Sequence, residues 1–156
     1  PIAAAEKAKK TEAIKNVLPE FKELKDINVK SAMEDVELPF HLAYDANGNF
    51  IGAAVETFTN KGFSGNISLM VGILADGTVN NISVLQHAET PGLGSKMSEP
   101  SFKDQFNNKH ADSFNFNVKK DGGDVDAITA ATISSRAFCD AVNRAISTFE
   151  NNKGGF

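Results

Sequence analysis

Between Phe40 and Glu89 the chain twice interrupts an apolar run with a tight-turn signal. FHLAYDANGNFIGAAVETF sets Asp45-Ala46-Asn47-Gly48 between two such runs, and NISLMVGILADGTVNNISVLQHAE does the same with Asp76-Gly77. Glycine accepts the positive φ of a close reversal, and Asp and Asn side chains hydrogen-bond their own turn, so each signal predicts a β-hairpin. Two hairpins in succession predict an antiparallel meander.

The flanks read differently. AAAEKAKKTEAIKNVLPEF is rich in Ala, Glu and Lys and spaces Ala13, Ile14, Val17 and Leu18 on one helical face before Pro19 ends the run. Ser98 reads as an N-cap with Pro100 early in a short helix, where Phe102 and Phe106 share a face. Phe114, Phe116 and Val118 alternate with polar residues as a strand would, and Gly122-Gly123 turns the chain into a short extended piece at Val125–Ile128. Ala137, Phe138, Ala141, Val142, Ala145, Ile146 and Phe149 then form a stripe of 3.6-residue period, the mark of an amphipathic helix. The expected class is α+β: a mainly antiparallel twisted sheet flanked by N-terminal, middle and C-terminal helices.

Bulk properties narrow the function. The length of 156 residues suits one domain with a substantial core, and a net charge of −4 argues against a nucleic-acid partner. Lys7, Lys9 and Lys10 are the only basic cluster; they suit a solvated helix surface or a position beside a membrane. Cys139 is the single cysteine, at an apolar position of the last helix, which excludes an intramolecular disulfide and a thiolate metal site. His41, His87 and His110 show no ligand spacing, so no metal is expected. No secretory signal is present, and no apolar run approaches the roughly 20 residues that span a bilayer.

The chemistry concentrates in DAITAATISSRAFCDAVNRA, Asp126 to Ala145. Thr129, Thr132, Ser134 and Ser135 crowd the N-terminus of the last helix, where unpaired amides and the positive end of the helix dipole welcome an anion. The same hydroxyls would also serve as ordinary helix caps, and the residues alone do not choose between a cap and a phosphate site. Upstream, the PGLG loop places Gly92 and Gly94 around Leu93. One glycine suffices for a turn; the second suggests a backbone that must also stay out of something's way, unless the loop is only a flexible connection.

HAETPGLGSKM followed some thirty residues later by DAITAATISSRAF resembles the FMN-binding domain of the G subunit of Rnf electron-transport complexes. That subunit is related to the C subunit of the sodium-translocating NADH:quinone reductase, and the similarity spans roughly Gly52 to Phe149. The family's attachment motif reads D-x-x-S/T-G-A-T-x-S/T, with FMN joined through its phosphate to the second threonine. Asp126, Thr129, Ala131, Thr132 and Ser134 match it, which makes Thr132 the expected covalent anchor. Ala130 stands where the family has glycine, and a positive φ there would strain an alanine.

The resemblance implies further roles. Thr129, Ser134 or Ser135 is expected to bond the phosphate, and Glu89, Thr90, Gly92, Leu93 and Gly94 are expected by the flavin. Lys96 is placed to offset negative charge. No catalytic residue is expected: the protein would tether and tune an electron carrier whose chemistry belongs to the flavin. The implied partners are the other subunits of a membrane complex that couples NADH–ferredoxin redox exchange to ion pumping, and a flavin transferase that installs FMN from FAD. The domain would lie on the extracytoplasmic side of the inner membrane, with residues 1–22 a helix following a membrane anchor and 23–156 the FMN-binding domain. Two rival readings are a free-standing FMN-dependent reductase and a non-redox module that holds an anion at the same helix end.

Overall fold

The computed structural model describes residues 2–31, 33 and 35–156, with the side chains of the opening helix from residue 8 onward. Five strands follow one another in a single antiparallel sheet ordered β1-β2-β3-β4-β5. They are β1 (Glu23–Lys30), β2 (Glu37–Tyr44), β3 (Phe50–Gly62), β4 (Gly65–Leu74) and β5 (Val79–Gln86). Three helices complete the fold: α1 (Ile2–Val17), the short α2 (Pro100–Lys103) and α3 (Thr132–Asn152). This is the expected α+β class. Both hairpin signals lie at strand reversals, β2–β3 around Asp45–Gly48 and β4–β5 around Asp76-Gly77. The Asp45 carboxylate accepts the Asn47 and Asn49 amides, closing the first turn with a side chain.

The sheet is covered on both faces. On one, Phe138, Ala141, Val142, Ala145 and Phe149 of α3 bury against Phe40, Leu42, Val55, Leu69 and Val71. Phe102 of α2 and Phe106 just beyond it extend this core, with ring centroids 5.0 Å from Phe138 in both cases. Each large side chain so buried contributes about 1.5–3 kcal/mol. On the other face, Ala13, Ile14, Val17 and Leu18 of α1 pack on Ala43, Ala54, Met70 and Leu85. That contact is close: a Cβ on Gly72 would sit 1.9 Å from the Val17 carbonyl oxygen. Lys9 and Lys10 are exposed, whereas Pro1 and the Lys7 side chain lie outside the described residues.

Polar contacts fix α3 against β3. The Thr57 hydroxyl donates to the Ala141 carbonyl at 2.8 Å, and the Thr59 hydroxyl to Asp140 at 2.8 Å. Arg144, 4% exposed, donates to the Phe58 carbonyl and lies over the Phe58 ring. The β3–β4 turn is thereby held near the N-terminal end of α3.

Three expectations change. β1 is an additional strand: its burial pattern is almost wholly exposed, with Val29 its one buried residue, so no alternation marks it in the sequence. Phe114–Val118 joins no ladder; its one sheet-like contact is a parallel bridge from Val118 to Val125, and Phe116 and Val118 serve the core from an irregular segment. Ser98 is not a cap, because α2 begins at Pro100 behind Glu99, without a side-chain capping bond.

Candidate functional site

Helix α3 is 21 residues long and begins at Thr132, yet its N-cap residue is Ala131, which makes no side-chain capping bond. The first amide with an intrahelical acceptor is that of Ser135, bonded to the Ala131 carbonyl at 3.0 Å. The amides of Thr132, Ile133 and Ser134 thus form the open, positive end of the helix. They face a cavity of about 360 Å³, within the range of small-molecule sites, lined by Thr90, Leu93, Gly94, Ala130 to Ser134 and Phe63.

The approach to α3 is strained at one place. Ala130 has φ of 62°, the left-handed region in which alanine pays about 1–2 kcal/mol. The preceding turn is braced from inside. The buried Ser135 hydroxyl accepts the Ile128 amide and donates to the Ala131 carbonyl, each at 2.9 Å. Gln105 grips the same segment through the Asp126 backbone, accepting its amide at 2.7 Å and donating to its carbonyl at 3.0 Å. Arg136 anchors the first turn of α3 by a bidentate pair with Asp121 at 2.8 Å.

The PGLG loop answers the question its two glycines raise. Gly92, at φ of 79°, occupies the position of a Pro-Gly turn that needs a positive angle, and the Leu93 amide closes that turn on the Thr90 carbonyl. Gly94 is required for proximity: a Cβ there would lie 2.5 Å from the Ser134 hydroxyl and 2.7 Å from the Glu89 Cβ.

Glu89 links the walls of the cavity. It is 4% exposed, and its carboxylate accepts the amides of Phe63 (2.9 Å) and Ser64 (2.8 Å) and the Ser134 hydroxyl (2.6 Å). Burial opposes its charge, but these three donors outweigh burial and hold its carboxyl below the usual glutamate value. One ionised side chain thus ties the β3–β4 turn, the 89–94 loop and the first turn of α3 together. Its amide is in turn accepted by His87 Nδ1 at 3.0 Å.

Of the residues singled out in the sequence, Thr132, Ala131, Ser134, Thr90, Leu93 and Gly94 line this one cavity, with Glu89 and Gly92 in its supporting loop. The Ser134 and Ser135 hydroxyls are engaged within the protein, on Glu89 and on the Ala131 carbonyl. Lys96, Asp126 and Thr129 open instead onto a neighbouring cavity of about 300 Å³ across the 129–131 turn. The Asp126 side chain pairs there with Lys119 at 2.7 Å. Phe63 and Gln105 went unread in the sequence: GFSG resembles any turn, and an isolated glutamine carries no periodic signal. No group of His, Cys, Asp or Glu among the described residues could hold a metal.

An uncapped helix start, with Thr132 facing an apolar-walled cavity across a glycine loop, is the candidate binding site of this α+β domain. The profile of the FMN-binding domain family matches residues 62–147, from the β3–β4 turn through most of α3. The G subunit of the ion-translocating oxidoreductase complex of Shewanella baltica (strain OS223) is 41% identical over 124 residues, 76% of this chain and 58% of that protein. The corresponding G subunit of Methanosarcina acetivorans is 37% identical over 148 residues, covering 92% of this chain and 76% of its own length. The chain spans a little over half the length of bacterial relatives such as those of Shewanella baltica (58%) and Aliivibrio fischeri (54%). The C subunit of the Na+-translocating NADH-quinone reductase from Parabacteroides distasonis has the same fold, with a TM-score of 0.65 at 20% identity, over 96% of this chain and 83% of that one. Shewanella oneidensis NqrC follows at 0.58 and 20%, over 93% and 73%. The chain belongs to the FMN-binding domain family, among the G subunits of ion-translocating oxidoreductase complexes.

Proposed function

We propose that this domain is an electron carrier holding FMN through a phosphoester on Thr132, as a subunit of an ion-translocating membrane oxidoreductase. The observation that carries the reading is the open start of α3: Thr132 stands at the cavity with no capping side chain competing for the helix amides. A phosphate esterified to its hydroxyl would meet the amides of Thr132, Ile133 and Ser134 and the dipole of a 21-residue helix. The residues fit the group: the phosphate end is built from amides, while the cavity walls at Phe63, Leu93 and Ile133 are apolar. Bound there, FMN would supply electron transfer.

The protein's own residues bind and orient. Leu93 and Thr90 offer contact to the ring or ribityl chain, and Gly94 keeps the loop against Ser134. Ser134 and Ser135 contribute by fixing the cradle through Glu89 and the Ala131 carbonyl. Thr129 and Lys96 line the neighbouring cavity on the far side of the 129–131 turn, from which Lys96 would temper the phosphate's negative charge through space. Attachment is the work of a separate flavin transferase: the Thr132 oxygen bonds the FMN phosphorus of FAD, AMP leaves, and the hydroxyl proton passes to a base of the transferase.

Among the described residues no helix is long and apolar enough to cross a membrane. The proposed subunit would carry a membrane anchor upstream of α1, with the domain on the extracytoplasmic side. The encoding gene tests it: an apolar segment of about 20 residues upstream supports the reading, and its absence counts against a membrane-anchored subunit. For the site, co-expression with a flavin transferase should yield protein whose denatured mass includes one FMN less water. Thr132→Ala should abolish the adduct and Thr132→Ser should retain it; an adduct surviving in Thr132→Ala overturns the assignment.

A further inference from the structure

Hairpin tips favour Gly, Asn and Asp, yet the β3–β4 turn carries a phenylalanine. Phe63 is 68% exposed, more than any other large apolar side chain among the described residues. It does not project at random. Its amide is held by the buried Glu89 carboxylate, which also holds Ser134 two residues from Thr132, and its side chain lines the same cavity as Thr132. Two of the other exposed apolar side chains, Leu93 (40%) and Ile133 (49%), line that cavity as well. Exposed apolar surface gathered around one cavity, with a buried ion spent on fixing its aromatic member, points to a flat apolar ligand group.

We propose that Phe63 is a cofactor-contact residue, the wall against which the isoalloxazine ring of a bound flavin lies, and that Glu89 is the positioning residue that holds it there. The proposal rests on the FMN reading above and adds what that reading lacks, an aromatic contact supplied by the β3–β4 turn. Substitution at Phe63 is compatible with folding because its side chain adds little to the core.

The test uses protein co-expressed with a flavin transferase and a tryptophan at the proposed contact, since indole quenches flavin emission at contact range. Phe63→Trp should lower flavin fluorescence severalfold at equal covalent loading. Leu24→Trp, on β1 opposite Ala43 of β2, which in turn faces Gly52 at the end of β3 away from the β3–β4 turn, should leave it unchanged. Phe63→Ala should make the flavin more open to iodide quenching, and Glu89→Gln in the Phe63→Trp background should restore part of the emission. Unchanged emission in loaded Phe63→Trp overturns the contact. Unchanged quenching after Glu89→Gln overturns the positioning role. A Phe63→Ala protein altered only in oligomeric state assigns the patch to a second copy of the chain and overturns the proposal. If the wild-type mass shows no adduct, the Thr132 linkage fails by itself; the same comparison with added free FMN then decides Phe63, and no quenching there overturns the contact too.

Discussion

At the scale of single residues, Ala130 is the place where geometry and side chain disagree. Its φ of 62° is one glycine adopts freely. Ala130→Gly releases about 1–2 kcal/mol of strain against about 0.4–1 kcal/mol of added chain entropy. The expected gain lies between zero and about 1.5 kcal/mol, read as a rise in the denaturant midpoint at constant slope. A second residue-scale prediction concerns His41, whose ring is held by Asp26 at 2.7 Å and Glu56 at 3.0 Å, with Lys10 on the far oxygen of Glu56 at 3.0 Å. Burial alone would lower the imidazole, but the hydrogen bonds and charges of Glu56 and Asp26 prevail and raise it above 6.5. The His41 contact pulls Glu56 below its ordinary 4.5, against burial and with help from Lys10. A raised histidine stabilises fully below its unfolded value and loses that contribution as pH rises through the folded one; a lowered carboxyl behaves in the opposite sense. The cluster therefore contributes most between about pH 4.5 and 6.5. Stability measured by urea denaturation should fall from pH 6.5 into the mildly alkaline range, and His41→Asn should flatten that slope.

At the scale of elements, α1 and α3 are attached differently. α3 has a broad aromatic face and polar ties at Thr57, Thr59 and Arg144, so its removal would dismantle the main core. α1 rests on a small separate cluster, and Asn80 and Asn81 add bonds to the Val17 and Asn16 carbonyls at 2.8 and 3.0 Å. Its seat depends on Gly72, where the Val17 carbonyl leaves no space for a methyl. Gly72→Ala should cost about 1–3 kcal/mol, the usual range for overpacking. The loss should be concentrated in α1, seen as faster amide exchange there with β3 and α3 still protected. Equal loss of protection throughout would show that α1 is integral to the cooperative unit.

At the scale of the molecule, an electron carrier and a free-standing reductase would behave differently in solution. Among the described residues there is no metal-binding group, and Cys139 is buried, its thiol pushed up to about 12 by burial first and by the Asp121 charge second. As an electron carrier, the domain loaded with FMN is expected to take up electrons from dithionite in proportion to its flavin and to show no sustained turnover of NADH with a soluble acceptor. Turnover by the isolated domain would favour a free-standing reductase. Anaerobic titration with stopped-flow absorbance distinguishes these outcomes.

The helical stripes, the two hairpins and the order of the segments were legible because period and turn chemistry are local properties. The open helix start at Thr132 and the glycine loop were legible for the same reason, each being a short run of residues with a local geometric requirement. β1 was hidden because an edge strand with one buried side chain has no pattern to show. Phe116 and Val118 misled because burial from an irregular segment can imitate strand alternation. What only the tertiary structure decided is which walls meet. Glu89 joins residues 26 positions before it and 45 after it into one cradle, and Phe63 enters that cradle from a turn that looks ordinary in sequence. Those contacts depend on how β3 packs against α3, and a long-range packing geometry leaves no trace in the residues nearby.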